Sequence, residues 1–324
     1  MNIAIVGCGL IGEKRAKALG KHRLIVAADT SIERAQYISS MGAQATATTD
    51  WKEAAGHPDV ELVIVATTNN WLTPVSLFAI EQGKHVLVEK PAARSPEEIE
   101  PLVIKAHSSG KKVKVGFNLR FHPAMMKAKE IIDSGVLGEL MFIRGRYGHG
   151  GRIGYDREWR ADPVIAGGGE LLDQGVHLID LSRWILGDFD AIEGFVNTYF
   201  WDMPVEDNGF ISMRTKKGQM AWLHASCSEW KNMFCLEIYG KDGKLQIDGL
   251  GGSYGTERLT YYKMLPHLGP PETTMWEYPF PDNSWKREFD YFVQAIADGH
   301  EIEGNLYDAK AVLVVVSKIY GGSK

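Results

Sequence analysis

Cysteine is scarce in this sequence, and its three copies are badly placed for pairing. Cys8, Cys227 and Cys235 are an odd set with no CxxC and no matching histidine spacing, which argues against a disulfide framework and against a zinc or other metal site. Long apolar runs are missing as well. Val312 to Val316 is typical of the longest, far below the roughly 20 residues a membrane span needs. A net charge of −5 with interspersed signs provides no basic stripe to track phosphates, so neither a membrane nor nucleic acid is an expected partner. There is no internal repeat and no low-complexity segment. The opening Met1 to Gly7 is apolar, lacks a basic leader and meets a glycine loop at once, so a strand is expected there, not a secretion signal. A cytoplasmic protein with reduced thiols is the expectation.

With 324 residues, 44% hydrophobic and 24% charged, the chain exceeds what one core usually organises, and two domains are expected. Over residues 1–120, β-rich runs alternate with helical patterns, the signature of a doubly wound parallel sheet. Its strands are expected at Asn2–Val6, Leu24–Ala28, Glu61–Ala66, His85–Val88 and Lys112–Gly116. Ser95-Pro96-Glu97-Glu98 has the form of a capping box opening a helix that ends near Gly110. From 121 to 324 the rhythm changes to helices at His122–Ser134 and Glu170–Leu186 and then hairpin-like strands at Phe210–Thr215, Met220–Ser226, Leu236–Tyr239 and Leu245–Ile247. That pattern implies a second α/β domain with a mostly antiparallel sheet. Residues 249–281, rich in Gly, Pro and Tyr, are expected to be an irregular excursion, and helices at Trp285–Ala297 and Leu306–Tyr320 close the chain.

Gly7-Cys8-Gly9-Leu10-Ile11-Gly12 lies between the first strand and the first helix, where a G-x-G-x-x-G loop lets backbone approach a pyrophosphate at a helix N-terminus. The motif alone is weak. Asp29 at the end of the second strand strengthens it, because a carboxylate there accepts hydrogen bonds from the adenosine ribose. The same charge repels the 2′-phosphate of NADP, so NAD is the expected cofactor; Arg34 is the one basic residue nearby that runs the other way.

His85 to Pro91 (HVLVEKP), after a fourth strand ending VIVATTN, and the stretch Gly168 to Asp180 with the pattern GG-x-L-x-D-x-G-x-H-x-x-D together resemble the glucose–fructose oxidoreductase, inositol dehydrogenase and rhizopine catabolism (Gfo/Idh/MocA) family over essentially the whole chain. The resemblance implies a Rossmann domain followed by an open-sheet domain, and hydride transfer between nicotinamide and a secondary hydroxyl of a sugar, cyclitol or nucleotide sugar. It also implies a homodimer or homotetramer. Lys90, Asp173 and His177 are the candidate catalytic residues. A histidine titrates near neutrality and suits the removal of a hydroxyl proton, Asp173 shares its helix face, and Lys90 stands at the ligand-binding end of a parallel strand where an ammonium stabilises a developing oxyanion. Besides the glycine loop and Asp29, the candidate cofactor contacts are Thr67, Asn69, Glu89, Lys90 and Asn118. Asn118 and Arg120 match the family's N-x-R element, Trp159 and Arg160 precede the glycine triplet, and Asp180 is a second-rank candidate. Many members carry a histidine after the fourth strand where this chain reads Asn69 to Pro74, which makes Trp71 a candidate to pack near nicotinamide or substrate.

Arg144, Arg146, His149, Arg152, Arg157 and Arg160 are interleaved with glycines upstream of the catalytic helix. A mobile loop of solvated arginines is the plain account. The alternative is an anion site, with Arg152 and Arg157 gripping the phosphates of a nucleotide-linked sugar. Two other functions fit the same residues: a glycoside-cleaving enzyme that recycles NAD, and a non-catalytic dinucleotide sensor. Asp29 generates the first prediction. Calorimetric titration is expected to give a lower dissociation constant for NAD than for NADP, and the reverse order would overturn the role of Asp29.

Overall fold

In a computed structural model describing residues 1–322, the chain divides into two compact units. The first comprises Met1–Phe117, Val164–Gly167 and Trp285–Val314; the second comprises Asn118–Pro163, Gly168–Ser284 and the chain from Val315. The units are therefore not the two continuous stretches that the sequence suggests, since residues 285–314 fold with the first.

Six parallel strands build the first unit: β1 Asn2–Val6, β2 Arg23–Ala28, β3 Thr46–Thr48, β4 Leu62–Val65, β5 His85–Val88 and β6 Val113–Val115, in the order β3-β2-β1-β4-β5-β6. Helices cover them, so β4 reads as the uninterrupted apolar run Leu-Val-Ile-Val, with all four residues 0% exposed. The short edge strand β3, Thr-Ala-Thr, carries no apolar pattern that sequence inspection would detect. Ser95 caps the helix Pro96–Ser109 by accepting the Glu98 N–H, and Gly110, at φ 66°, closes it. The Glu98 carboxylate accepts from the Arg94 N–H at 2.7 Å, one residue before the partner a capping box would use. Phe289 and Phe292, three positions apart on the helix Ser284–Asp298, pack into the core formed by Ile3, Ile5, Leu24, Leu62 and Leu87. That apolar stripe is what brings residues 285–314 into this unit.

Eight strands form the second sheet: β7 Leu140–Gly148, β8 Ala191–Asn197, β9 Asn208–Arg214, β10 Met220–Ser226, β11 Met233–Gly240, β12 Gly243–Asp248, β13 Glu257–Lys263 and β14 Glu272–Tyr278. Their order is β14-β13-β12-β11-β7-β10-β9-β8, antiparallel except for the β7–β10 pair. Two expectations are corrected here. Residues 249–281 are no excursion, because they supply β13 and β14; β14 is an edge strand, mostly exposed, and lacks the apolar alternation that betrays a half-buried strand. Arg144 and Arg146 lie in β7, not in a mobile loop.

The helix Val176–Leu186 lies on the buried face of this sheet, where a side chain at Gly145 would come within 3.2 Å of Leu178 and closer still to Leu223 and Leu236. The preceding turn, Leu171–Gly175, is wound as a π-helix, so the expected single helix from Glu170 to Leu186 starts with a wider turn.

Four of the buried charged residues of the first unit meet in one network. Arg15, Lys114 and Glu288 are 0% exposed and Glu89 is 7% exposed. Arg15 donates from Nε to Glu89 at 2.6 Å and from Nη1 to Glu288 at 2.7 Å, while Lys114 Nζ lies 3.3 Å from the other Glu288 oxygen. The guanidinium also packs over the Trp285 ring at 4.5 Å. Glu288→Ala would remove the carboxylate that both buried cations contact. Removing one partner of a buried pair costs about 3–5 kcal/mol. A clear fall in the urea midpoint is expected, whereas a loss below about 1 kcal/mol would show that the network does not hold the unit together.

Candidate functional site

The glycine loop after β1 is shaped by two contacts that forbid side chains and one position that is open. Gly7, at φ +94°, would place a Cβ 2.4 Å from the Ala66 carbonyl, and a Cβ on Gly12 would fall 2.0 Å from the Gly7 carbonyl. Gly9 has nothing within 4 Å of the corresponding point. Gly7 and Gly12 therefore serve chain packing, and Gly9, the N-cap of the helix Leu10–Ala18, leaves a space in front of it. Leu10, at the first helical position, is 70% exposed and Ile11 is half-buried. Unpaired amides of a first helical turn beside such a space fit a dinucleotide pyrophosphate.

Asp29 follows β2 and holds the loop from the side. Its carboxylate accepts the Cys8 N–H at 2.7 Å and the Ser31 N–H at 3.0 Å. Burial, and then the Asp29 charge, pushes the Cys8 thiol up to about 12, so it stays protonated. Arg34 is exposed on the helix Ile32–Ser39.

Gly7, Asp29, Thr67 and Lys90 all follow the carboxyl ends of their strands, the edge at which open α/β sheets bind ligands. Thr67 donates to the Thr68 carbonyl at 3.2 Å. Two other candidate cofactor contacts are committed elsewhere. The Asn69 side-chain amide donates to the Ala166 carbonyl at 2.8 Å, and the Glu89 carboxylate belongs to the Arg15 network. Trp71 is 46% exposed and leans on Trp51, with ring centroids 6.0 Å apart.

In the second unit, Asp173 sits in the π-helical turn and takes a hydrogen bond from Arg160 Nε at 3.1 Å, while Arg160 stacks over Trp159 at 4.5 Å. Burial works against the Arg160 charge, but Asp173 holds the guanidinium above its ordinary value. His177 is buried in the first turn of the helix Val176–Leu186, its ring 5.9 Å from Tyr147 and at 66° to it. Tyr147 in turn contacts Tyr254 at 5.5 Å. Tyr254 comes from a distant turn, Gly252–Tyr254, so no local motif signals it.

The other second-unit candidates have structural partners. Asn118 donates to Ser284 Oγ at 3.0 Å. Arg120 grips Asp180 through two bonds of 2.8 and 2.6 Å, both residues being buried. Arg152 pairs with Glu158, and the Arg157 side chain is 80% exposed. Arg144 pairs with Glu237 on the outward face of the sheet. The arginines are dispersed, because alternate positions of β7 point to the face opposite the Val176–Leu186 helix.

Glu206 was not singled out from the sequence, yet it fixes the turn that launches the Asp173 segment. Its carboxylate accepts the Gly169 and Leu171 N–H groups, each at 3.0 Å, and the Tyr320 hydroxyl at 2.8 Å. A Cβ on Gly168 would meet that hydroxyl at 2.1 Å, and one on Gly169 would meet the Glu206 carbonyl at 2.0 Å. The glycine triplet is thus a closely packed turn. The only hint in the sequence is the adjacent acid pair Glu206-Asp207 ahead of β9.

Two family models match. One, described as an oxidoreductase family with an NAD-binding Rossmann fold, covers residues 1–117, and one described as the GFO/IDH/MocA C-terminal domain covers residues 125–246. The chain belongs to the GFO/IDH/MocA family. Levoglucosan dehydrogenase of Pseudarthrobacter phenanthrenivorans is 28% identical over 239 residues, 67% of this chain but only 59% of that protein. D-glucoside 3-dehydrogenase of Escherichia coli is 28% identical over 322 residues, 91% of this chain and 88% of its own length. The solved structure of levoglucosan dehydrogenase with NADH and levoglucosan superposes with a TM-score of 0.90 at 23% identity, covering 100% of this chain and 96% of the other, which establishes the shared fold. In this GFO/IDH/MocA chain the glycines separate folding from binding. Gly12→Ala is expected to lower the melting temperature markedly through its clash with Gly7. Gly9→Ala should leave melting almost unchanged and weaken NAD by about tenfold or more, the scale of one lost charge-assisted contact. Unchanged NAD affinity in a folded Gly9→Ala would dissociate the loop from the cofactor.

Proposed function

We propose that this chain is an NAD-dependent dehydrogenase acting on a secondary hydroxyl of a neutral sugar or cyclitol. The observation that carries this is the glycine loop, open only at Gly9 and flanked by Asp29, in a chain whose second unit presents Asp173 and His177 within two turns of each other. NAD, when bound, supplies the carbon that accepts or returns the hydride. His177 takes the hydroxyl proton. Burial raises the phenols of Tyr147 and Tyr155 well above their ordinary value, and Tyr254 to about 12, so these neighbours remain neutral and do not compete as bases. Asp173, aimed by Arg160, accepts a substrate hydroxyl, and Lys90 polarises the reacting oxygen.

A nucleotide-linked substrate has less support. Arg144 and Arg146 are on the outward sheet face, Arg152 is neutralised by Glu158, and Arg157 extends into solvent, so no phosphate-sized cluster of cations forms from them. The same outward face carries Phe195 on β8 and Trp222 on β10, exposed at 74 and 64%, apolar positions that suit pairing with a second copy of the chain.

A panel of sugars and cyclitols with NAD, followed by absorbance of the reduced cofactor, tests the activity, and mass spectrometry of the product separates oxidation from bond cleavage. His177→Ala and Lys90→Met are each expected to lower kcat by on the order of 100-fold with little change in NAD affinity. Wild-type turnover in His177→Ala would remove it from the mechanism.

A further inference from the structure

The second unit carries a series of aromatic rings that the activity above does not use. Tyr155 is buried beside His149, with ring centroids 5.4 Å apart, and its carbonyl accepts the N–H of Glu158, whose carboxylate lies 4.0 Å from Arg160, the partner of Asp173. Trp201 follows at 5.6 Å from Tyr155, Phe200 at 5.1 Å from Trp201, and Trp230 at 4.6 Å from Phe200. Exposure rises along the series: Tyr155 is 5% exposed, Phe200 52% and Trp230 71%. A continuous apolar path thus leads outward from the neighbourhood of Asp173.

The path is built, not incidental. Asp207, 0% exposed, accepts the consecutive N–H groups of Tyr199, Phe200 and Trp201 at 2.9, 2.7 and 3.0 Å, which fixes the backbone that presents two of the rings. Trp201 Nε1 donates to the Cys227 carbonyl at 2.9 Å. Any side chain on Gly151, at φ +67°, would come within 2.4 Å of the Trp201 ring, and one on Gly150 would reach the Trp230 backbone at 3.1 Å. Trp230 itself is held at φ 57°, a conformation that costs a non-glycine residue energy and persists where surroundings impose it.

We propose that Trp201, Phe200 and Trp230, backed by the buried Tyr155, form a subsite for a second sugar ring, so that the preferred substrate is a glycoside and not a free monosaccharide. The inference rests on the sugar-oxidising function proposed above. A pyranose has an apolar C–H face and a hydroxyl-bearing edge, and it stacks on indole and phenyl faces while its hydroxyls meet polar neighbours. The residues beside the rings suit that edge: His149, the Arg152–Glu158 pair, and Lys231 and Asn232 next to Trp230 in the chain.

The test compares cellobiose and maltose with glucose in the NAD absorbance assay, using wild type, Trp230→Ala and Phe200→Ala. The subsite requires a higher kcat/KM for a disaccharide than for glucose, and a fall of about fivefold in that ratio in each variant, the equilibrium worth of one stacking contact. A ratio unchanged in both variants overturns it while leaving the dehydrogenase assignment standing. If no sugar is oxidised by wild type, that assignment fails, and saturation-transfer NMR of the disaccharides decides the subsite alone. Binding lost in Trp230→Ala upholds it, and no binding to wild type overturns it. A smaller assembly mass for Trp230→Ala by light scattering would assign the rings to a contact between copies and also overturn it.

Discussion

The buried pairing of Arg15 with Glu89 and Glu288 is the constraint on which the first unit depends. It joins the helix that follows the glycine loop, the end of β5 and the helix Ser284–Asp298, and through Lys114 it reaches β6 as well. Two cations face two anions, so no net charge is buried, and the attraction offsets a desolvation cost that would otherwise be several kcal/mol per ion. Glycines make the room. A Cβ on Gly116 would come within 2.8 Å of both Arg15 and Glu89, and one on Gly304 would lie 2.7 Å from Lys114. The chain must therefore bring four separate segments to one place before any of these charges is satisfied, which explains why residues far along the chain fold with its beginning.

This constraint also separates the two neighbours Glu89 and Lys90. Glu89 turns inward and anchors the end of β5; Lys90, the next residue, is half-buried at the carboxyl edge of the sheet. The Lys90–Pro91 peptide bond is cis, and the Ala92 carbonyl accepts the Thr73 hydroxyl at 2.9 Å. Of these two adjacent charges, Glu89 is thus structural, and Lys90 lies just beyond the carboxyl end of β5. Sequence inspection grouped them as cofactor contacts because a motif gives residue types and spacing, and the direction of each side chain depends on partners more than seventy residues away.

What was legible in the sequence follows the same division between local and distant causes. The glycine loop, Asp29, the Ser95 cap and the strands with unbroken apolar runs were readable because each is set within a few residues of the chain. Strands β13 and β14 were not, since an edge strand exposed on much of its surface has no period-two contrast. The arginine group looked like a cluster only in one dimension. Once β7 forms, alternation sends Arg144 and Arg146 to the outward face, while Arg160 meets Asp173, a candidate catalytic residue. Glu206 was invisible because its function is to satisfy backbone amides of a turn that a sequence shows only as three glycines.

Carboxylate placement within the second unit then distinguishes framework from chemistry. Asp180 is 1% exposed and gripped by both arms of Arg120, and Glu257 is 3% exposed and bound to His122 and to the Ala124 N–H. Burying groups like these serves the fold, because their acceptor capacity is taken up inside the protein. Asp173 differs in degree. Its side chain is 18% exposed and its Arg160 partner 31% exposed, so a bond of 3.1 Å sets the direction of a carboxylate that solvent still reaches. Asp173 and Asp180 lie seven residues apart on the same helical segment, and helical spacing alone ranks them nearly alike. Only the first is both oriented and accessible, as the role proposed for Asp173 requires.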